Sequence, residues 1–335
     1  MTLLADHTTV HLGGPAQNWI EATTVEELVA AAADPTALIL GGGSNLIVAD
    51  EGVPGTVVHV ATRGITPDTD DPSCGGVLVT VAAGESLDDL VATTVERGWA
   101  GLEALSGIPG SVGATPIQNV GAYGAEVSQT IARVRVWDRV LQGFRTFSAD
   151  ECGFAYRTSR FKADPGRHVV VEVVFQLKPG TLSAPIGYAE LAKRLGVTVG
   201  DRVPLADVRA AVLGLRSAKG MVIDPADHDT WSAGSFFTNP IIEPAEVPDG
   251  APSYDQGDGT VKTSAAWLIQ AAGFEKGYGR EGVSVSTKHT LALTNRGAGT
   301  TTALLSLARE IRDGVEREFG ITLVPEPVFV GAPEW

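Results

Sequence analysis

Residues 101–124, GLEALSGIPGSVGATPIQNVGAYG, constrain the fold more than any other stretch of the chain. They hold six glycines and two prolines, almost no charge and few helix-favouring residues. Glycine reaches backbone angles closed to other residues and lets main chain approach a partner closely. A run this dense, with Gln118 and Asn119 interleaved, fits backbone wrapped around a flat cofactor and its phosphates. A loop-rich connection between strands would fit the same residues.

A second glycine cluster narrows the choice. The apolar run Ala37-Leu38-Ile39-Leu40 leads into Gly41-Gly42-Gly43-Ser44-Asn45, and Leu46-Ile47-Val48 resumes the apolar pattern. This reads as strand, phosphate-sized loop, strand, because consecutive N–H groups in such a loop can converge on an anion. A Rossmann fingerprint would open a helix, and a P-loop would end in Gly-Lys-Ser/Thr. Here the glycines are contiguous, no lysine follows and β-formers come next. Both common nucleotide folds are disfavoured, while a phosphate-bearing ligand is retained.

The chain has 335 residues, enough for two or three domains. Its formal charge of −15, from 40 acidic and 25 basic residues, argues against nucleic acid and anionic membranes as partners. An anionic ligand would therefore need a locally basic site. No apolar run reaches the roughly 18 residues of a membrane span, and the first residues do not read as a signal peptide. Cys74 and Cys152 are too few for a disulfide framework or a metal quartet and read as reduced thiols. A cytoplasmic location is expected.

Periodicity places the elements. Thr23-Thr24-Val25-Glu26 reads as a capping box opening a helix, and Ser86 as the cap of another that ends near Arg97 and Gly98. Strand patterns occupy residues 55–60, 76–82, 131–136 and 168–176. Further helices are expected over 205–217 and 300–319, the last ended by Gly320. Residues 240–259, rich in Pro, Asp and Gly, read as a surface loop. The fold class is α+β.

Three segments could carry chemistry. Phe154-Ala155-Tyr156-Arg157-Thr158-Ser159-Arg160-Phe161-Lys162 sets cations among aromatics, a pattern also met in stacked surface pairs. In Gly234-Ser235-Phe236-Phe237, Ser235 could equally open a buried strand. Glu326, between Pro325 and Pro327 in an apolar run, is a candidate for desolvation and a raised pKa. A hydrolase reading lacks the G-x-S-x-G elbow around Ser235. A zinc reading has only His7 and His11, without further ligands, so no metal is expected.

In this order the segments resemble the UDP-N-acetylenolpyruvoylglucosamine reductase family of flavoenzymes, which complete UDP-N-acetylmuramate in peptidoglycan synthesis. The resemblance is carried by Leu12-Gly13-Gly14-Pro15-Ala16, residues 41–45, 107–113 and 118–124, Tyr156-Arg157, residues 234–237 and Pro325-Glu326, and it spans nearly the whole chain. It implies a vanillyl-alcohol-oxidase-type FAD-binding fold in two subdomains (1–65 with 322–335, and 66–215) and an α+β substrate domain (216–321). It implies non-covalent FAD on Gly41, Gly42, Gly43, Ser44 and Asn45, on Ser106, Gly107, Ile108, Pro109, Gly110, Gly113 and Ala114, and on Gln118, Asn119, Gly121, Ala122 and Tyr123. No histidine lies in the 41–45 loop, where some relatives of this fold attach flavin covalently.

The same resemblance implies that NADPH reduces the flavin, which then reduces the enolpyruvyl ether of UDP-N-acetylglucosamine enolpyruvate. Arg157 and Glu326 match residues that stabilise the enolate, and Ser235 matches the proton donor. Tyr156, Lys219, Asn239, Lys262 and Gln270 match substrate positions. Tyr188 resembles the tyrosine that closes over the diphosphate in one subclass. Thr238 stands where many members carry lysine, and Pro327 where they carry valine. The competing readings are an oxidase of the same fold, and a non-catalytic flavin or nucleotide-sugar binder.

Overall fold

The valine-rich run after His168 makes one long strand, His168–Pro179, in which consecutive residues are buried, so both faces are covered over most of its length. The chain is described here by a computed structural model covering residues 1–68, 75–280, 282–331 and 335. Cys74 lies outside the described residues. The protein divides into two units. One comprises Met1–Ala16, Gly43–Pro54 and Ala218–Trp335; the other comprises Gln17–Gly42 and Gly55–Ser217.

In the second unit, His168–Pro179 pairs antiparallel with Ile131–Asp138 on one side and Val77–Ala82 on the other. Gly143–Ser148 and Ile65–Asp68 extend the sheet outward, and Trp99–Ala100 adds to the end of the long strand. β-Branched residues suit this pleated, buried surface. Leu28 of helix Val25–Ala32 and Leu87, Leu90 and Val91 of helix Leu87–Glu96 join the same core. A smaller core forms where helices Ala189–Leu195 and Leu205–Ala218 bury Leu191, Val208 and Val212. Leu38–Leu40 runs parallel to Val53–Val60 and delivers the chain to the first glycine loop.

The first unit centres on helix Thr301–Phe319, capped by Thr300 and ended by Gly320 in the left-handed region. Its Leu304, Leu307, Ile311 and Val315 are fully buried, in the same core as Val283, Val285 and Leu293 of an antiparallel sheet. Leu46–Val48 and Val328–Val330 form a parallel pair in this unit.

Two sequence expectations shift. The first helix is capped by Thr24, not Thr23. Glu27 is the residue that reaches back, accepting the Thr24 N–H at 3.2 Å while its own N–H donates to the Thr24 hydroxyl at 3.1 Å. Residues 240–259 are not loop throughout. Ile241–Ile242 and Ser253–Asp255 flank Val261–Thr263 in a three-stranded sheet. Short pieces broken by Pro and Gly carry too few residues for alternation to show. Cys152 is buried, which pushes its thiol up to about 12 and keeps it an unreactive packing group. No helix among the described residues is long and apolar enough to cross a membrane.

Candidate active site

The two glycine clusters of the second unit meet backbone to backbone. A Cβ on Gly42 would lie 2.6 Å from the Gly110 Cα and 3.1 Å from the Ser111 nitrogen, and one on Gly41 would collide with the Ser111 hydroxyl. Gly113 lies against Ala83, with 2.5 Å between the Ala83 Cβ and any Cβ added to it. These three glycines are thus required by protein packing. Gly43, in the first unit, is likewise pressed against the His7 carbonyl, at φ 61°. With Gly42 exposed and Ile108, Pro109 and Gly110 half-buried, the paired turns present main chain to a ligand, which fits a flavin diphosphate. Ser106 is buried, its hydroxyl donating to the Glu103 carbonyl.

Gly113→Ala is expected to overpack this junction by about 1–3 kcal/mol. The checks are a lowered melting temperature and loss of flavin from the purified protein. An unchanged melting temperature and a full flavin complement would show that the turns can part without consequence.

Sequence reasoning missed the group that holds the second turn. Asp88, in the first turn of helix Leu87–Glu96, accepts the Gly107 N–H at 2.6 Å and both arms of the Arg209 fork at 2.6 and 3.0 Å. Burial would raise the Asp88 carboxyl, but the Arg209 hydrogen bonds, the Gly107 N–H and the Arg209 charge outweigh it and hold it below the usual range. The Gly107 N–H therefore serves the turn itself. No spacing in the sequence links Asp88 to Arg209, since the pair joins distant elements.

Arg157 sits on a tight turn closed by mutual hydrogen bonds between Ala155 and Thr158, at 3.1 and 3.2 Å. Its φ is +54°, and Asn119 and Tyr123 are also left-handed, at +48° and +51°. Such conformations cost an ordinary residue about 1–2 kcal/mol and persist where surroundings enforce them. The Arg157 fork donates to the carbonyl oxygens of Gly121 at 3.1 Å and Asn119 at 3.5 Å, and its cation lies 5.4 Å from the centre of the Tyr156 ring. Lys162 Nζ donates to the Arg157 carbonyl at 3.0 Å. The glycine-rich stretch thus orients the arginine directly.

Ser235 and Glu326 are brought together within the first unit. Strand Ser232–Ser235 is irregular where it pairs with Ala292–Asn295, and Gly234 stands at φ +77° with open space around it. The glycine is there for its conformation, and bulges of this kind re-aim the next side chain. Phe236 and Phe237 follow, each 1 % exposed, anchoring Ser235 to the core. Phe237 bridges Pro325, and the Glu326 N–H donates to the Phe236 carbonyl at 2.9 Å. Asn45 brackets Glu326: its amide donates to the Glu326 carbonyl at 3.3 Å, and its own carbonyl accepts the Val328 N–H at 2.9 Å. Proline at 325 and 327 removes no ladder bond, because the N–H groups used belong to Glu326 and Val328.

The remaining candidates fall into local groups. Asn239 accepts the Ala265 N–H at 3.0 Å, the neighbouring Pro240 carbonyl accepts the Thr263 N–H, and Lys262 pairs with Ile241, so Asn239 and Lys262 share one small lobe. Gln270 lies exposed on helix Ala265–Ala271 of the same lobe. Lys219, half-buried, precedes Gly220, which is packed against the Asp229 carbonyl. Tyr188 caps helix Ala189–Leu195, is 45 % exposed and meets Tyr123 edge-on at 5.7 Å. Burial pushes the Tyr123 hydroxyl up to about 12 against the opposing Arg216 charge, so it stays a hydrogen-bond donor at neutral pH. Arg216 was not foreseen; it faces Tyr123 and Asp88 electrostatically. Gln118, Ala114, Gly121 and Ala122 are half-buried in the glycine-rich stretch.

Comparison with known proteins decides the family. Residues 224–330 match the family described as UDP-N-acetylenolpyruvoylglucosamine reductase, C-terminal domain, and residues 19–140 match an FAD binding domain. The UDP-N-acetylenolpyruvoylglucosamine reductase of Thermobifida fusca is 57% identical, over 98% of this chain and 96% of that protein. That of Cutibacterium acnes is 56% identical, over 98% and 89%. The chain belongs to the UDP-N-acetylenolpyruvoylglucosamine reductase family. The crystal structure of the Thermus caldophilus reductase matches with a TM-score of 0.69 at 28% identity, covering 98% of this chain and 97% of that one. The fold is α+β, with an FAD binding domain and the reductase family's C-terminal domain, and the protein is a flavin-dependent oxidoreductase.

Proposed function

We propose that this protein reduces the enolpyruvyl ether of UDP-N-acetylglucosamine enolpyruvate to UDP-N-acetylmuramate, with NADPH as hydride donor. Bound FAD would supply the redox chemistry, carrying hydride from the nicotinamide to the vinyl carbon. The observation that carries the reading is the strand pairing that sets Glu326 beside the Ser235-Phe236-Phe237 segment.

Hydride addition leaves negative charge on the adjacent carbon and the substrate carboxylate. Arg157, a permanent cation with a planar fork, is assigned to that charge, where one such contact is worth roughly 3 kcal/mol. Glu326 assists as a hydrogen-bond donor in its protonated form. Ser235 delivers a proton from its hydroxyl to the second carbon; the enolate is basic enough that placement outweighs the resting pKa. Tyr156 is assigned to the substrate. Lys219, Asn239, Lys262 and Gln270 are assigned to the nucleotide and its diphosphate, which meets the need for local cations on an acidic protein. Tyr188, exposed at the start of its helix, is assigned to the same diphosphate, as in the tyrosine-loop subclass.

The reading assigns FAD to residues 1–65 with 322–335 and to 66–215, the nucleotide sugar to 216–321, and the enzyme to the cytoplasm. FAD would be held by the main chain of the paired glycine turns.

The test is anaerobic. The purified protein is reduced with NADPH, UDP-N-acetylglucosamine enolpyruvate is added, and the flavin spectrum is followed. Return of the oxidised spectrum with formation of UDP-N-acetylmuramate is expected. Persistent reduced flavin, reoxidised instead by oxygen, would replace the reading with that of an oxidase.

A further inference from the structure

We infer that Asn119 is a positioning residue for Arg157, acting through its side-chain amide. The inference rests on the proposed role of Arg157 and deepens it. Asn119 is 1 % exposed, and its amide is engaged with protein on both sides. The two amide hydrogens donate to Glu126 Oε2 at 2.7 Å and to the Ala155 carbonyl at 3.2 Å, and Oδ1 accepts the Ser128 N–H at 3.2 Å. A carboxylate and a carbonyl only accept, while a backbone N–H only donates, so the partners fix which way the amide points.

Each contact bears on the arginine. The Ala155 carbonyl belongs to the turn whose far side is Arg157. The Asn119 carbonyl accepts from the Arg157 fork, so one residue holds both the root and the tip of that side chain. Glu126 and Ser128 tie Asn119 to the next loop, making the arrangement resist displacement. The backbone at +48° adds a second reason for this residue type, since asparagine tolerates the left-handed region better than other side chains do. With the amide committed to protein groups, the FAD contact that the resemblance implies for Asn119 falls to its main chain, which glycine keeps.

The decisive variant is Asn119→Gly, which keeps the left-handed backbone without strain and deletes only the amide. Flavin content, FAD dissociation constant, flavin reduction by NADPH and reoxidation by substrate are measured separately. Reoxidation is expected to slow by roughly 30- to 100-fold, the scale of a displacement near 1 Å at a reacting group. Flavin content and NADPH reduction are expected to stay within about twofold of the unsubstituted enzyme. In an Arg157→Lys background the same change is expected to cost less than about threefold, because residues acting as one unit are not additive.

Loss of FAD with normal reoxidation of the remaining holoenzyme would make Asn119 a cofactor ligand and overturn the inference, as would full additivity with Arg157→Lys. If Asn119→Gly does not fold, Glu126→Ala and Glu126→Gln replace it. The alanine is expected to slow reoxidation and the glutamine, which keeps an acceptor, to restore it; equal rates would overturn the inference. Failure of the unsubstituted enzyme to reoxidise with substrate would instead remove the functional reading, and the inference with it.

Discussion

Ser235→Ala is expected to slow substrate-driven reoxidation of the flavin by roughly 10²–10⁴-fold, the usual worth of a positioned general acid. The change removes one oxygen from a half-buried residue and leaves its supports in place. Gly234 still sets the bulge, Phe236 and Phe237 still fill the core, and the Glu326 N–H still reaches the Phe236 carbonyl. Flavin content, melting temperature and the rate of reduction by NADPH should therefore be unchanged. Stopped-flow absorbance under anaerobic conditions separates the two half-reactions. Wild-type reoxidation in the variant would remove Ser235 from the mechanism and leave proton delivery to water or to Glu326.

Arg157→Lys should act on the same half-reaction, by roughly 10²-fold or more. Lysine keeps the charge but cannot reproduce a planar fork that grips two acceptors at once. In this protein the fork is also what registers the side chain, through the Gly121 and Asn119 carbonyl oxygens. A lysine would lose its registration together with its two-pronged hold on a carboxylate. The left-handed backbone at residue 157 is no easier for lysine than for arginine, so stability should change little. The substrate KM is expected to rise as well, since the fork is assigned to a carboxylate present before and after hydride transfer. Normal kinetics with normal KM would place Arg157 outside the site.

The long helices and the strands of the main sheet were legible because their period is carried by many residues. Ser86, Thr300 and Gly320 do what their types suggest at helix ends. The glycine clusters were legible as close-approach sites, but what approaches is not written in them. Gly41 makes room for the Ser111 hydroxyl, Gly42 for the Gly110 backbone and Gly113 for Ala83, a fact of three-dimensional packing. Ser235, Arg157 and Glu326 stood out through their neighbours, the buried phenylalanines and the flanking prolines. Asp88, Arg209 and Arg216 did not, because a lone acid or base on an amphipathic helix looks like any solvated one. The left-handed backbone at Asn119, Tyr123 and Arg157 was equally silent, since asparagine adopts that region only in a minority of cases and tyrosine and arginine rarely do.

The bond between Asn45 and Glu326 joins residues 281 positions apart. A growing polypeptide therefore carries Ser235 long before it carries the strand that lies alongside it. Until Pro325, Glu326 and Val328 have been made, the edges formed by Phe236 and Asn45 stand open. Contacts this distant form slowly, because the loop must close before it is rewarded. The pair of residues assigned to proton delivery and charge stabilisation is thus completed only once residues 325–328 have been made. A chain cut short before residue 325 would hold the glycine turns without the partner that Ser235 is assigned.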